Sequence, residues 1–262
     1  MRVLAICQQR DAGVGVFADG ALAAGATLDE WFIAETPAPP ADPFSYDAVI
    51  SFGGAMHPDQ DSEYPWLAEE KALLGELLAR EMPLLGVCLG AQLLVVAAGG
   101  EVRRASTPEI GWRHVELTAQ AADDPLLGAL APGFEAFHWH SYECVPPPGA
   151  ITLARNSVCV QAFRVGMTAY GIQFHAEVSA FDAEHWIDDY QTDPDAIRIG
   201  LDPEAVQAAT RERIGAWNEL GREFCERFIG LASRRSQPSA GSASVKVGPG
   251  RVPGPPPAEN AG

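Results

Sequence analysis

The chain has 262 residues, enough for one large domain or two small ones, with 47% hydrophobic and 20% charged residues, as in an ordinary soluble enzyme. A formal net charge of -17 sets up a field that repels phosphate backbones and anionic lipid surfaces, so nucleic acid and membranes are excluded as natural partners. The five cysteines (Cys7, Cys88, Cys144, Cys159 and Cys225) are an odd number without CxxC spacing, so neither a disulfide framework nor a metal knuckle is expected. The opening MRVLAICQQRDAG reaches Gln8, Gln9 and Arg10 too soon for a secretory leader, and a reducing cytoplasm is the expected location.

In chain order, residues 3–7 (VLAIC) form a continuous apolar run, the mark of a strand buried on both faces. After a Gly/Ala-rich segment, a second strand is predicted over Thr27–Ile33, and the prolines at 37, 39, 40 and 43 mark a surface connection. A third strand is predicted over Tyr46–Phe52, ending at Gly53-Gly54. Trp66 to Arg80 places Leu67, Leu74, Leu77 and Leu78 at helical spacing. Pro83 precedes the strand LLGV, and Leu89–Ala98 reads as a buried helix. The run from Leu84 to Gly100 is too short, and too interrupted by Gly86, Gly90 and Gln92, to span a membrane. This alternation predicts an α/β fold: an open, mostly parallel sheet with helices on both faces.

Shorter strands are expected at 111–118, 134–145, 151–155, 158–163 and 169–174, as hairpins appended to that sheet. Two helices follow, between about Asp182 and Ala232. The last begins at Asp202-Pro203, a cap followed by proline, with an apolar stripe of Val206, Ile214, Trp217, Phe224 and Phe228. Residues 1–232 are thus expected to form the domain. Residues 233–262 turn to Ser, Gly, Pro and Ala and are expected to be a disordered tail.

Two motifs carry chemistry. Gly86-Val87-Cys88-Leu89-Gly90 has the form G-x-C-x-G between an apolar strand and an apolar helix, the thiol counterpart of a nucleophile elbow. The glycines let strand and helix approach, and the helix N-terminus facing the sulfur favours the thiolate. The N–H of Leu89, at the head of the helix, is free to meet a developing oxyanion. Downstream, the strand AYGIQF leads into His175-Ala176-Glu177. Positions i and i+2 of a strand share a side, so His175 is placed to take the thiol proton and Glu177 to orient its ring. An isolated buried cysteine, or a histidine at a strand end, is more often structural. The two motifs together point to one chemistry.

GVCLGAQLL followed by GIQFHAEV resembles the class I (triad-type) glutamine amidotransferases, and is similar to stand-alone relatives of the GMP synthase glutaminase domain. SFGGAM, EIGW, FHWHSYE and CVQAF fall in the matching order, so the resemblance covers about residues 1–230. It implies a flavodoxin-like, open parallel sheet with appended antiparallel strands. It also implies a triad of Cys88, His175 and Glu177, oxyanion N–H groups from Gly54 and Leu89, and substrate contacts from Gln92, Ser141 and Tyr142. Ala176 stands where the family usually has proline. The implied reaction cleaves the side-chain amide of glutamine, or of another γ-glutamyl compound, through a γ-glutamyl thioester, with no cofactor and no metal.

Three functions are compatible with these motifs: a self-sufficient γ-glutamyl hydrolase, an ammonia-donating subunit that needs a separate synthetase as partner, and an idle regulatory domain of the same fold. A different α/β fold with an elbow cysteine would lack the downstream His-x-Glu. His138 and His140, two apart without a third ligand nearby, read as pocket-wall or core residues. His57, Asp59 and Asp61 read as solvated loop, and Trp139, Trp186 and Trp217 as packing.

Overall fold

The computed structural model describes residues 1–236; the expected tail beyond them lies outside the described residues. Five strands form the parallel half of the sheet, in the order β2-β1-β3-β4-β9: β1 (Arg2–Cys7), β2 (Thr27–Phe32), β3 (Ala48–Ser51), β4 (Leu84–Val87) and β9 (Ala169–Ile172). Their sequences are apolar on consecutive residues because both faces are covered. Along β1, Val3, Ala5 and Cys7 enter one core and Leu4 and Ile6 the other. The first core is closed by α1 (Phe17–Ala23) and α6 (Pro203–Ser236), the second by α2 (Trp66–Ala79) and α3 (Leu89–Ala97).

The second half departs from the expected open sheet. β8 (Val160–Val165) joins β9 antiparallel and continues the sheet into β6 (Gly133–Val145), β5 (Glu101–Leu117) and β7 (Ile151–Arg155). β7 pairs with both β5 and β8, and β6 also pairs with both, so these four strands close into a small ring. The sheet is therefore not mostly parallel, and its antiparallel part is not open. The cause is the length of β5, whose 17 residues reach far beyond the expected 111–118. A register shift between Arg104 and Glu109 bends it, and Pro108 lies within that irregular stretch.

Two other elements differ from expectation. α1 occupies the Gly/Ala-rich segment, which lacks helical periodicity. Its Gly20 sits where a Cβ would come within 2.5 Å of the Arg222 carbonyl of α6. After β9 come α4 (Ala180–Asp188), a 3₁₀ turn, α5 (Pro194–Arg198) and α6, one more helix than expected. α4 opens on a capping box between Ser179 and Asp182. α6 starts with Asp202 accepting from the Ala205 N–H and runs to Ser236, four residues into the stretch read as tail.

α6 has a specific task. Its Trp217 Nε1 donates to the His175 carbonyl at 2.8 Å, and its Asn218 Nδ2 donates to the Val178 carbonyl at 2.7 Å. At Gly221 a Cβ would lie 2.1 Å from the Ala176 carbonyl. Gly221→Ala is therefore expected to push α6 off this segment and to cost about 1–3 kcal/mol by overpacking. A thermal melt should show a drop of several degrees, and an unchanged Tm would contradict this packing.

Candidate active site

Cys88 lies between β4 and α3 with φ 50° and ψ −108°, a left-handed backbone that a side chain rarely adopts. Three backbone hydrogen bonds hold it: Cys88 N–H to the Ile172 carbonyl at 2.8 Å, Gly90 N–H to Phe52 at 3.1 Å, and Gln92 N–H to Cys88 at 3.0 Å. The flanking glycines are required. A Cβ on Gly86 would meet the Ala91 nitrogen at 2.6 Å, and one on Gly90 the Ser51 carbonyl at 2.1 Å. The strained turn thus sets the thiol at the N-terminus of a helix buried from Leu89 to Val95.

His175 and Glu177 follow β9 rather than lying on it, because the strand ends at Ile172. They still share a side: His175 Nδ1 is 2.7 Å from Glu177 Oε1, both residues being 3% exposed. The His175 N–H bonds the Phe137 carbonyl of β6 at 2.9 Å, and the Trp186 ring packs edge-on against the imidazole at 4.8 Å. His175 Nε2 has no hydrogen-bond partner among the described residues. Imidazole and thiol converge over Gly53, where a Cβ would lie 3.0 Å from His175 Cε1 and 3.6 Å from Cys88 Cβ. Burial opposes a charge on His175, but Glu177 and then Cys88 outweigh it and push the imidazole up to about 10.

A cavity of about 350 Å³ opens onto this pair, lined by Gly54, Cys88, Leu89, Gln92, Ser141, Tyr142 and His175 among others. Seven of the eight residues singled out from sequence thus line one space, and Glu177 stands behind His175. Gln92 Nε2 reaches the Tyr142 carbonyl at 3.5 Å and Gln173 Oε1 at 3.3 Å. Gln173 itself points Nε2 at Cys88 Sγ, 3.6 Å away. It was not anticipated, although its place two residues before His175 puts it on the same side of the chain.

Other wall residues were also missed. His57, read as solvated, stacks on Tyr142 at 4.5 Å, and Trp139 and Trp186, read as packing, line the cavity. Trp217 is core, as expected. The α4–α5 segment closes one side. Trp139 Nε1 donates to Asp193 at 2.8 Å, and Arg104 pairs with Asp195 at 2.6 Å. Burial opposes the charge on Asp195, yet hydrogen bonds from Ser141, Arg104 and Arg198 hold its carboxyl well below the usual range.

Behind the wall, Glu109, His140 and Cys159 place donor atoms within 4.8 Å of one another, a set of types that a thiophilic cation uses. Here Gln161 Nε2 bridges Glu109 (2.7 Å) and Cys159 (3.2 Å), and Asn156 donates to Glu109 at 2.6 Å. The carboxylate is thereby taken up by amides. His138 is fully buried beside His140 and is held neutral by that burial and by His140.

A parallel sheet carrying a thiol elbow at its strand ends, opposite a His–Glu pair, defines a thiol-dependent α/β class. The family model described as glutamine amidotransferase class-I matches residues 31–189, and the chain belongs to that family. It is 32% identical over 147 residues to a γ-glutamyl-L-1-hydroxyisopropylamide hydrolase from a Pseudomonas species, a match covering 53% of this chain and 49% of that protein. It is 35% identical over 136 residues to the glutamine-hydrolysing subunit of the GMP synthase of Sulfurisphaera tokodaii, covering 51% of this chain and 68% of that one. The chain thus matches about half to two thirds of the length of these relatives. Among solved structures, a glutamine amidotransferase from Thermotoga maritima superposes with a TM-score of 0.78 at 27% identity, covering 87% of this chain and 98% of that one. Among the described residues, no helix is long and apolar enough to cross a membrane.

The five cysteines differ sharply in setting. Burial pushes the Cys7 and Cys225 thiols up to about 12, and pushes Cys144 and Cys159 further in the same direction. Among the five, only Cys88 lines the cavity. An electrophilic glutamine analogue is expected to modify Cys88 alone, as read by peptide mapping; modification of Cys7 or Cys159 first would contradict this.

Proposed function

We propose that the chain is a Cys–His–Glu amidohydrolase that cleaves the side-chain amide of a γ-glutamyl compound without a partner. The observation that carries the proposal is the strained Cys88 facing the buried His175–Glu177 pair at the floor of one cavity.

In the proposed reaction, the Cys88 thiolate attacks the γ-carbonyl carbon, and the carbonyl electrons move onto oxygen. That oxyanion is met by the N–H groups of Gly54 and Leu89. On collapse, the C–N bond breaks and His175 gives its proton to the departing amine, leaving a γ-glutamyl thioester. A water then loses a proton to His175 and adds to the thioester. The C–S bond breaks, releasing glutamate and restoring the thiolate–imidazolium pair. Glu177 keeps the ring oriented and its positive form stable throughout. Gln92 and the backbone of Ser141 and Tyr142 are assigned to the amino-acid end of the substrate.

Two features favour a γ-glutamyl amide over free glutamine. The cavity lies within the range of roughly 300–1,000 Å³ that encloses ligands of drug size. It also extends past the thiol to Met56, Trp186 and Thr192, residues able to enclose a substituent on the leaving amine. The hydrolase relative from Pseudomonas is named for such an amide. Similarity to the glutamine-hydrolysing part of GMP synthase favours a second reading, in which the chain supplies ammonia to a separate synthetase. Glutamate release from glutamine and from γ-glutamyl alkylamides, measured on the purified chain, separates the two. Turnover of an alkylamide without additions is expected. Silence that is relieved only by cell extract would establish the partner-dependent reading.

Cys88→Ala and His175→Ala are each expected to lower kcat by a factor on the order of 10³ or more, since the two act as a unit. Turnover within about tenfold of wild type for His175→Ala would contradict the triad. Glu177→Gln should cost less in rate but should alter the pH profile. Loss of the carboxylate lowers the imidazole pKa from its value of about 10, so the alkaline limb of kcat/KM moves towards neutrality. An unmoved limb would show that Glu177 does not control His175.

A further inference from the structure

Glu70 is a carboxylate with no exposure at all, and the proposed reaction does not use it. It sits on the buried face of α2, three residues after Leu67 and four before Leu74. A buried carboxylate must be met by donors. Two are present: Ser51 Oγ donates to Oε1 at 2.6 Å, and Gln8 Nε2 donates to Oε2. Gln8 Oε1 in turn accepts from Trp66 Nε1 at 3.1 Å, so its amide is fixed at both ends.

These two donors back the two sides of the assigned oxyanion hole. Gln8 underlies the loop that carries Gly54, where an added Cβ would lie 2.8 Å from Gln8 Cβ. Ser51 underlies the first turn of α3. Its carbonyl lies 2.1 Å from where a Cβ on Gly90 would be, and the adjoining Phe52 carbonyl accepts the Gly90 N–H at 3.1 Å. The Ser51 and Gln8 side chains therefore tie the Gly54 side and the Leu89-Gly90 side to one carboxylate.

We propose that Glu70 is a positioning residue for the oxyanion hole, fixing through Gln8 and Ser51 the separation of the Gly54 and Leu89 N–H groups. It rests on the reading of Cys88 as nucleophile with those two N–H groups as oxyanion donors. Such donors act only when held at about 2.7–3.1 Å from the oxyanion, so a small relaxation of the frame weakens both at once. Glu70 touches neither thiol nor cavity, so its effect falls on the acyl-transfer steps and not on substrate capture. The contacts survive an amide: the carbonyl oxygen of a glutamine at this position accepts from Gln8, and its NH2 donates to the Ser51 hydroxyl. A leucine there leaves both partners unsatisfied.

The test compares Glu70→Leu and Glu70→Gln in the full chain, with glutamine and γ-glutamyl isopropylamide as substrates. A second readout is the alkylation rate of Cys88 by iodoacetamide, a displacement that forms no oxyanion. Glu70→Leu is expected to lower kcat by about 10–100-fold, less than the loss of a donor outright, with KM within about threefold and alkylation within about twofold of wild type. Glu70→Gln should retain kcat within about threefold. Should Glu70→Leu fail to fold, Ser51→Ala removes one tie without added bulk and should lower kcat by about 3–10-fold at constant alkylation rate. Wild-type kcat in Glu70→Leu or Ser51→Ala would overturn the proposal. So would kcat and alkylation falling together, or Glu70→Gln failing as badly as the leucine variant. Activity that survives Cys88→Ala would instead overturn the underlying reading of the nucleophile, and the oxyanion assignment with it.

Discussion

At Cys88 the backbone holds φ 50° on a residue with a Cβ, a conformation that costs roughly 1–3 kcal/mol and persists only where the surroundings over-determine it. Here they do. β9 bonds the Cys88 N–H, the loop after β3 bonds the Gly90 N–H, and glycines at 86 and 90 remove the side chains that would otherwise separate strand from helix. The turn sets the thiol where the parallel strands end and α3 begins, the place where open α/β sheets present their ligand sites. Gly53-Gly54, at the end of β3, and the segment after β9 can reach the sulfur only because β3 and β9 flank β4 on either side.

The partner groups come from a separately stabilised segment. His175 to Val178 has no strand ladder of its own, so its backbone groups find partners elsewhere. The His175 N–H goes to β6, the His175 and Val178 carbonyls go to Trp217 and Asn218 of α6, and the Glu177 carbonyl accepts the Val16 N–H at 2.8 Å. The His175–Glu177 pair is thus gripped by elements from three distant parts of the chain. Ala176, fully buried and lying under Gly221, occupies the tightest point of that grip. This packing restrains the segment without the stiffness that a proline would bring.

Local chemistry is what the sequence made legible. The G-x-C-x-G elbow, the His-x-Glu spacing and the apolar runs of β1, β3 and β4 each depend on neighbours a few residues apart, and each was placed within one or two residues. What stayed hidden depends on long-range pairing. The ring of β5, β6, β8 and β7 could not be read, because nothing local to β5 announces that its 17 residues cross two partners. Arg104 meets Asp195 across 91 residues, and Trp139 meets Asp193 across 54, so the wall formed by α4 and α5 has no local signature. Glu70 is the instructive case. It falls on the apolar stripe of α2, where a carboxylate breaks the pattern, and that break was a readable sign of a buried polar role.

The central claim is that Cys88 carries the acyl group during turnover. It is tested most directly by mixing the enzyme with a γ-glutamyl alkylamide, quenching in acid within the first turnovers, and mapping the peptides by mass. The account predicts a γ-glutamyl adduct on the peptide that contains Cys88, lost when the sample is treated with hydroxylamine. Continued release of glutamate with no adduct on that peptide, or with the adduct on another residue, would contradict it.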